Sequence, residues 1–175
     1  CHHVLEIGSG TGQHSVFFAP RLPHLVWQTS DLEGNHAAIQ AWHNAHGASN
    51  LRAPLSFDLA SSNWPEANQA QPFDAVFTSN TCHIVAWPLV QRMFMLVGQY
   101  LPAGGTFAIY GPFNYGGQFT SESNRAFDAW LRQRDAASGI RDFEAITALA
   151  QQHGMQLQFD QAMPANNRTL VFRKH

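Results

Sequence analysis

Apolar and polar positions along this chain switch repeatedly between a period near two and a period near 3.6, the marks of strands and helices. Val4–Ile7 is a short apolar run closed by glycines, and Thr11–Ala19 follows as a helix that stops near Pro20. Leu25–Thr29 alternates apolar with polar residues and ends at Ser30-Asp31. Asn35–His46 predicts a helix, with Gly47 just beyond it as a stop signal. Pro54–Leu59 predicts a third strand, and Phe73–Ser79 is so continuously apolar that it suits a strand buried on both faces. Leu89–Leu101 places Leu89, Met93, Leu96, Val97, Tyr100 and Leu101 on one side of a long helix, broken by Pro102-Ala103-Gly104-Gly105. Thr106–Tyr110 is the next strand, and Ser123–Arg134 and Asp142–His153 are two more helices. Gln156–Gln161 and Thr169–Arg173 close the chain as strands.

This alternation predicts an α/β, doubly wound, mostly parallel seven-stranded sheet with helices on both faces. The last two strands are joined by a loop too short for a parallel crossover, so they form an antiparallel hairpin. A length of 175 residues fits a single domain over residues 1–175. The first strand begins almost at Cys1, and a segment preceding it is expected to complete the domain.

Composition narrows the partners. Charged residues make up 13% of the chain and apolar ones 45%, which places it among folded globular proteins rather than disordered ones. The formal net charge is −2 with no run of Lys or Arg, so no nucleic-acid partner is expected, although ten histidines would add positive charge below neutral pH. The two cysteines, Cys1 and Cys82, make neither a disulfide framework nor a zinc spacing; Cys82 is expected as a small buried hydrophobe, and no metal site is expected. No apolar run approaches the roughly 18 residues of a membrane span, and no signal peptide is recognised, so the expectation is a cytoplasmic protein with no membrane partner.

The candidate chemistry begins at LEIGSGTGQH, Leu5 to His14. In a doubly wound sheet ligands bind beyond the carboxyl ends of the strands, and Gly8, Gly10 and Gly12 occupy the first such turn. The dinucleotide fingerprint G-x-G-x-x-G would put its third glycine where Gln13 stands. The chain instead reads Glu6-x-Gly8-x-Gly10-x-Gly12, and a carboxylate at Glu6 suits the cationic sulfonium and amino-acid end of S-adenosylmethionine better than a diphosphate. Asp31, at the end of the second strand, can accept both ribose hydroxyls. Asp58, at the end of the third, can accept from the adenine amino group, with Leu32 and Leu59 as apolar walls. Ser9 and Asn80 complete the expected cofactor set.

Methyl transfer needs alignment of a nucleophile with the methyl group more than covalent help, so acceptor contacts are expected on the loops after the fourth and fifth strands. His83 and Tyr110 are the candidate catalytic side chains, His83 as a base or an orienting donor. Phe113 and Tyr115 are expected to wall an apolar pocket with Asn114 as a polar contact, joined by His14 and Asn166. No run of Asn or Asp followed by two prolines and an aromatic occurs, which removes the main sign of base methylation.

The glycine turn, Asp31, Asp58, FDAVFTSN and the terminal hairpin together resemble a class I S-adenosylmethionine-dependent methyltransferase. SGTGQH, YGPF (Tyr110–Phe113), SNRAFD (Ser123–Asp128), GIRD (Gly139–Asp142) and MPANN (Met163–Asn167) more narrowly resemble the methyltransferase-like 26 family. The resemblance implies that fold and S-adenosylmethionine as cofactor, but no substrate. The function expected is therefore methyl transfer to a small-molecule acceptor by in-line displacement. The alternative is a ligand-binding or scaffold protein that keeps the fold without catalysis; a nicotinamide-dependent reductase is disfavoured by the displaced third glycine.

Overall fold

A computed structural model describes residues 1–61, 63–65 and 72–175. Its larger sheet has seven strands, taken in chain order as β1 (His3–Ile7), β2 (Val26–Asp31), β3 (Leu51–Ser56), β4 (Ala75–Ser79), β5 (Thr106–Gly111), β8 (Met155–Met163) and β9 (Asn167–Lys174). They are ordered β3-β2-β1-β4-β5-β9-β8. Pairings from β3 through β5 are parallel, and β9 runs antiparallel to both β5 and β8. The doubly wound, mostly parallel sheet with an antiparallel end is the architecture the alternation of elements implied. The order reverses direction between β1 and β4, and that switch point is where such sheets bind ligands.

Helices α1 (Gln13–Phe18), α2 (Glu33–His46), α3 (Trp87–Tyr100), α4 (Glu122–Arg134) and α5 (Phe143–Gln152) fill the connections. Successive residues of β1 bury into opposite faces. Leu5 and Ile7 join one core with Phe107, Phe172, Phe94 of α3 and Ile146 of α5, while Val4 joins a smaller one with Trp27, Ala19 and Ala75. On that second face Phe18 stacks on Trp27 at 5.5 Å and meets Phe77 edge-on at 5.6 Å. The Cys82 thiol is buried and pushed up to about 12 by that burial, so it stays a protonated packing group.

Several boundaries differ from the sequence expectation for identifiable reasons. β3 ends at Ser56 rather than Leu59, and its pairing with β2 shifts register between Gln28 and Ser30. β3 is an edge strand, and Pro54, which has no N–H to donate, sits where the ladder skips. Asp58 and Leu59 therefore lie in the loop after the strand. α3 starts at Trp87 because Pro88 occupies the first turn, where its missing N–H costs nothing. α4 starts one residue early, capped by Ser121 Oγ, which accepts from Asn124 N at 3.0 Å. The two-residue strands β6 (Phe113–Asn114) and β7 (Arg141–Asp142) pair in parallel, a long-range contact with no periodicity to reveal it.

Candidate active site

The turn after β1 hangs from the end of β2. Gly8 N and Ser9 N both donate to the Ser30 carbonyl at 3.1 Å, and Ser30 N donates to Ser9 Oγ at 3.2 Å. Gly8 holds φ +71°, and a Cβ there would stand 2.9 Å from Thr81 Oγ1. Gly12 holds φ +86°, and a Cβ there would press on the α2 backbone, 3.2 Å from Ile39 Cα. Two of the three glycines thus let the loop after β4 and helix α2 close on the turn. Gly10 has a different surrounding. Its N–H donates to Asp31 Oδ2 at 2.7 Å, and no atom lies within 4 Å of where its Cβ would be.

The Asp31 carboxylate accepts three hydrogen bonds: from Gly10 N on Oδ2, and from Leu32 N at 2.7 Å and Asn35 Nδ2 at 2.9 Å on Oδ1. Asp58 folds its own loop, accepting from Ala60 N at 2.8 Å and Ser61 Oγ at 2.9 Å. Both carboxylates, with Gly8, Leu32, Leu59 and Thr81, line one hollow of about 180 Å³ at the switch point. Leu32 is half exposed at its rim, while Leu59 is buried.

Glu6 is not on that lining. It is buried behind the turn, where Oε2 accepts from the Trp27 indole Nε1 at 2.9 Å. Burial, opposed by the bonds from Trp27 and Ser9, raises its pKa from 4.5 to about 7. The expected charge on Glu6 toward a cationic ligand is therefore weakened by the same burial that places it beneath the glycine turn.

A second, larger hollow of about 590 Å³ opens on the other side of the β4 loop, lined by Asn80, His83, Pro112, Asn124, Phe127, Trp130 and Asn166 among others. Asn80 holds φ +55° and donates its N–H to the Tyr110 carbonyl at 2.9 Å. His83 is 4% exposed, with the edge of Phe127 against its ring at 5.4 Å. Burial, with Arg141 nearby, pushes its pKa down to about 4, so the imidazole is neutral at physiological pH and a weak base.

The loop aromatics take other places. Phe113 is 1% exposed in the main core, because β6 turns it inward. Asn114 is buried at a separate hollow beside Arg141 and Asp142. Tyr115 donates its hydroxyl to Asp160 at 2.9 Å and stacks on Phe143 at 4.9 Å, which ties the loop to β8 and α5. Tyr110 alternates away from Phe107 and Ile109, onto the other face of β5, and its carbonyl is what meets the β4 loop. His14 packs between Phe18 and Phe77 and reaches Ser79 Oγ at 3.5 Å, outside both hollows. Phe127 and Trp130 of α4 supply the aromatic wall that Phe113 and Tyr115 were expected to provide.

Arg141 was not singled out from sequence. Its Nε donates to the Cys82 carbonyl at 2.9 Å, and one terminal nitrogen donates to Val85 at 2.7 Å and Ala137 at 2.8 Å, clamping the segment that carries His83. The signal was present in GIRD, whose meaning needs the fold: Ile140 N donates to Asp128 Oδ1 at 2.8 Å, joining GIRD to SNRAFD. Among the described residues no group of three His, Cys, Asp or Glu side chains could hold a metal ion, and no helix is long and apolar enough to cross a membrane.

Residues 1–174 match the family described as "Protein of unknown function (DUF938)". The chain belongs to that family. Its fold is shared with an O-methyltransferase family protein from Burkholderia thailandensis, with a TM-score of 0.83, 14% identity and cover of 99% of this chain and 51% of that one. It is likewise shared with an O-methyltransferase family 2 protein from Planctomyces limnophilus DSM 3776 in complex with apigenin, at TM-score 0.86, 14% identity and 99% and 51% cover. PigF with SAH matches at TM-score 0.83 and 15% identity, with 99% and 50% cover. The chain spans about half the length of these solved structures, and identities this low establish the Rossmann-like methyltransferase fold alone.

Proposed function

We propose that this DUF938 protein binds S-adenosylmethionine at the β1/β4 switch point and transfers its methyl group to a small-molecule acceptor held in the larger hollow. The observation that carries the reading is the position of the β4 loop: Thr81 lines the smaller hollow and its neighbour Asn80 lines the larger. One loop borders both chambers, as a group transfer between two bound molecules requires. The resemblance of SGTGQH, YGPF, SNRAFD, GIRD and MPANN to the methyltransferase-like 26 family favours the same reading.

The smaller hollow fits the cofactor on its own chemistry. Space is open at the Gly10 Cβ position, Leu32 and Leu59 offer apolar faces, and two carboxylates line it, Asp31 at the end of β2 and Asp58 in the loop after β3. In this reading Asp31 accepts from the ribose hydroxyls and Asp58 from the adenine amino group, while Gly8, Ser9, Gly10 and Gly12 shape the turn. The bound donor supplies a methyl group on a positively charged sulfur, already activated for displacement. His83 then acts as a neutral hydrogen-bonding partner of the acceptor, and Phe127 and Trp130 exclude water from it.

Isothermal titration calorimetry of the full chain with S-adenosylmethionine and S-adenosylhomocysteine tests this. Saturable heat is expected with both. Absence of heat with either at millimolar concentration rejects the cofactor assignment.

A further inference from the structure

A third hollow, of about 280 Å³, is lined by Trp87, Asn114, Arg132, Arg141, Asp142 and Ala145 together with Ile140, and shares none of these residues with the two chambers at the switch point. Unlike charges border it without meeting. Arg132 gives Nε to Asp128 Oδ2 at 2.8 Å, and its two terminal nitrogens make no hydrogen bond among the described residues. Arg141 spends Nε and one terminal nitrogen on the Cys82, Val85 and Ala137 carbonyls, which leaves the other terminal nitrogen. Its guanidinium carbon lies 5.8 Å from the centre of the Trp87 ring. On the same lining, the Asp142 carboxylate precedes α5 without capping it and joins no ion pair among the described residues. Glu144, the acidic residue in the first turn of that helix, is instead taken up by Gly116 N at 3.0 Å.

Asn114 of β6 adds an independent observation. It is 7% exposed, and its side-chain amide makes no hydrogen bond among the described residues, Oδ1 being fully buried. Buried amides are ordinarily paired, because one taken out of water without a partner destabilises the fold. With neither end held, this amide is free to turn its N–H₂ or its oxygen to a molecule in the hollow.

The ionic groups decide what that molecule is. Asp128 balances Arg132, and Arg141 and Asp142 offset each other, so the formal charge around the hollow cancels while its two signs stay apart. A plain anion would give up hydration to face Asp142, and a plain cation would do so to face two guanidinium groups. A molecule that carries both signs finds a charge-assisted partner for each.

We infer that this hollow binds a small zwitterion of the α-amino acid class, its carboxylate on the terminal N–H groups of Arg132 and Arg141, its ammonium on Asp142, and the Asn114 amide as a further partner. The inference goes beyond methyl transfer and does not rest on it. Arg141 also clamps the segment that carries His83, so the site adjoins the acceptor side without sharing its lining.

Two-dimensional NMR titration of the full chain with glycine, acetate and methylammonium tests it, followed through the Asn114 side-chain amide and the Trp87 indole N–H. Glycine is expected to shift both signals saturably and to bind at least about tenfold tighter than acetate or methylammonium. Asp142→Asn alters a side chain that caps nothing and pairs with nothing among the described residues, so the fold is expected to persist. That variant is expected to bind glycine about tenfold more weakly, level with acetate. Arg132→Gln is expected to weaken glycine and acetate alike. Acetate or methylammonium binding as tightly as glycine to the unaltered protein overturns the zwitterion. Unchanged glycine affinity in Asp142→Asn overturns the ammonium assignment, and glycine shifts that stay linear with concentration overturn the site altogether.

Discussion

The N–H of Gly10 donates to Asp31 Oδ2 across 2.7 Å, so the carboxylate at the end of β2 also holds the tip of the glycine turn. The same side chain accepts from Leu32 N at 2.7 Å, at the start of α2. Asp31→Asn puts an amide N–H₂ against one of these backbone donors. A loss of about 1–3 kcal/mol is expected, since hydrogen bonds to a charged group are among the stronger ones. S-adenosylhomocysteine affinity is expected to fall at least about tenfold. Thermal unfolding and calorimetry on one sample separate the two effects; a folded variant with unchanged affinity removes Asp31 from the ribose role.

Gly8 and Thr81 make a second close approach. Thr81 Oγ1 cannot simply swing away, because it accepts from Thr78 Oγ1 at 2.8 Å. Gly8→Ala therefore meets both a left-handed backbone and a clash, with an expected loss of about 1–3 kcal/mol in urea unfolding. Adding Thr81→Ala removes the clash and leaves the backbone strain, so the double variant should regain only part. Complete recovery would mean that the backbone conformation itself is tolerated.

Arg141 tests the wiring of the acceptor side. Arg141→Met strips donors from the Cys82, Val85 and Ala137 carbonyls, and a loss of about 2 kcal/mol or more is expected. The guanidinium also helps to hold His83 down, so the His83 midpoint, followed by the NMR shifts of its ring, is expected to rise from about 4 toward its ordinary value of 6.5. A merely structural Arg141 would change stability and leave that midpoint in place.

The sheet was legible because its strands carry period-two or continuous apolar runs, and Asp31 and Asp58 line one hollow because the end of β2 and the loop after β3 border the same switch point. Side-chain direction within loops was not. YGPFNY looks like a pocket wall, yet β6 pairs with β7 across the fold and sends Phe113 into the core, while Tyr115 bonds to Asp160 on β8. Glu6 was placed correctly along the strand, but its environment depends on Trp27 of the neighbouring strand, which one-dimensional spacing does not reveal. The short motifs SNRAFD, GIRD and MPANN are far apart in the chain but bonded to one another: Asn124 donates to the Asn166 carbonyl and Asp128 accepts from Ile140 N, links that spacing does not reveal.

Glu6 and His83 give the protein opposed pH dependences. Glu6 titrates at 4.5 when unfolded and about 7 when folded, so between those values the folded protein keeps a proton that the unfolded chain releases. Its contribution to stability is complete below 4.5 and disappears as pH rises through 7. His83 titrates at 6.5 unfolded and about 4 folded, so its contribution is complete above 6.5 and disappears as pH falls through 4. Each displacement is worth on the order of 3 kcal/mol. In the unaltered protein the two trends oppose each other over the shared window, while His14 and His43, also lowered by burial, add to the acid-side loss. Glu6→Gln removes the first trend, and urea midpoints of that variant are expected to fall more steeply than the parent's as pH drops from 6.5. His83→Gln removes the second, and its midpoints are expected to fall more steeply as pH climbs toward 7. Parallel profiles for Glu6→Gln and the parent would mean that the Glu6 carboxyl ionises in the ordinary range, with its charge present beneath the glycine turn at neutral pH.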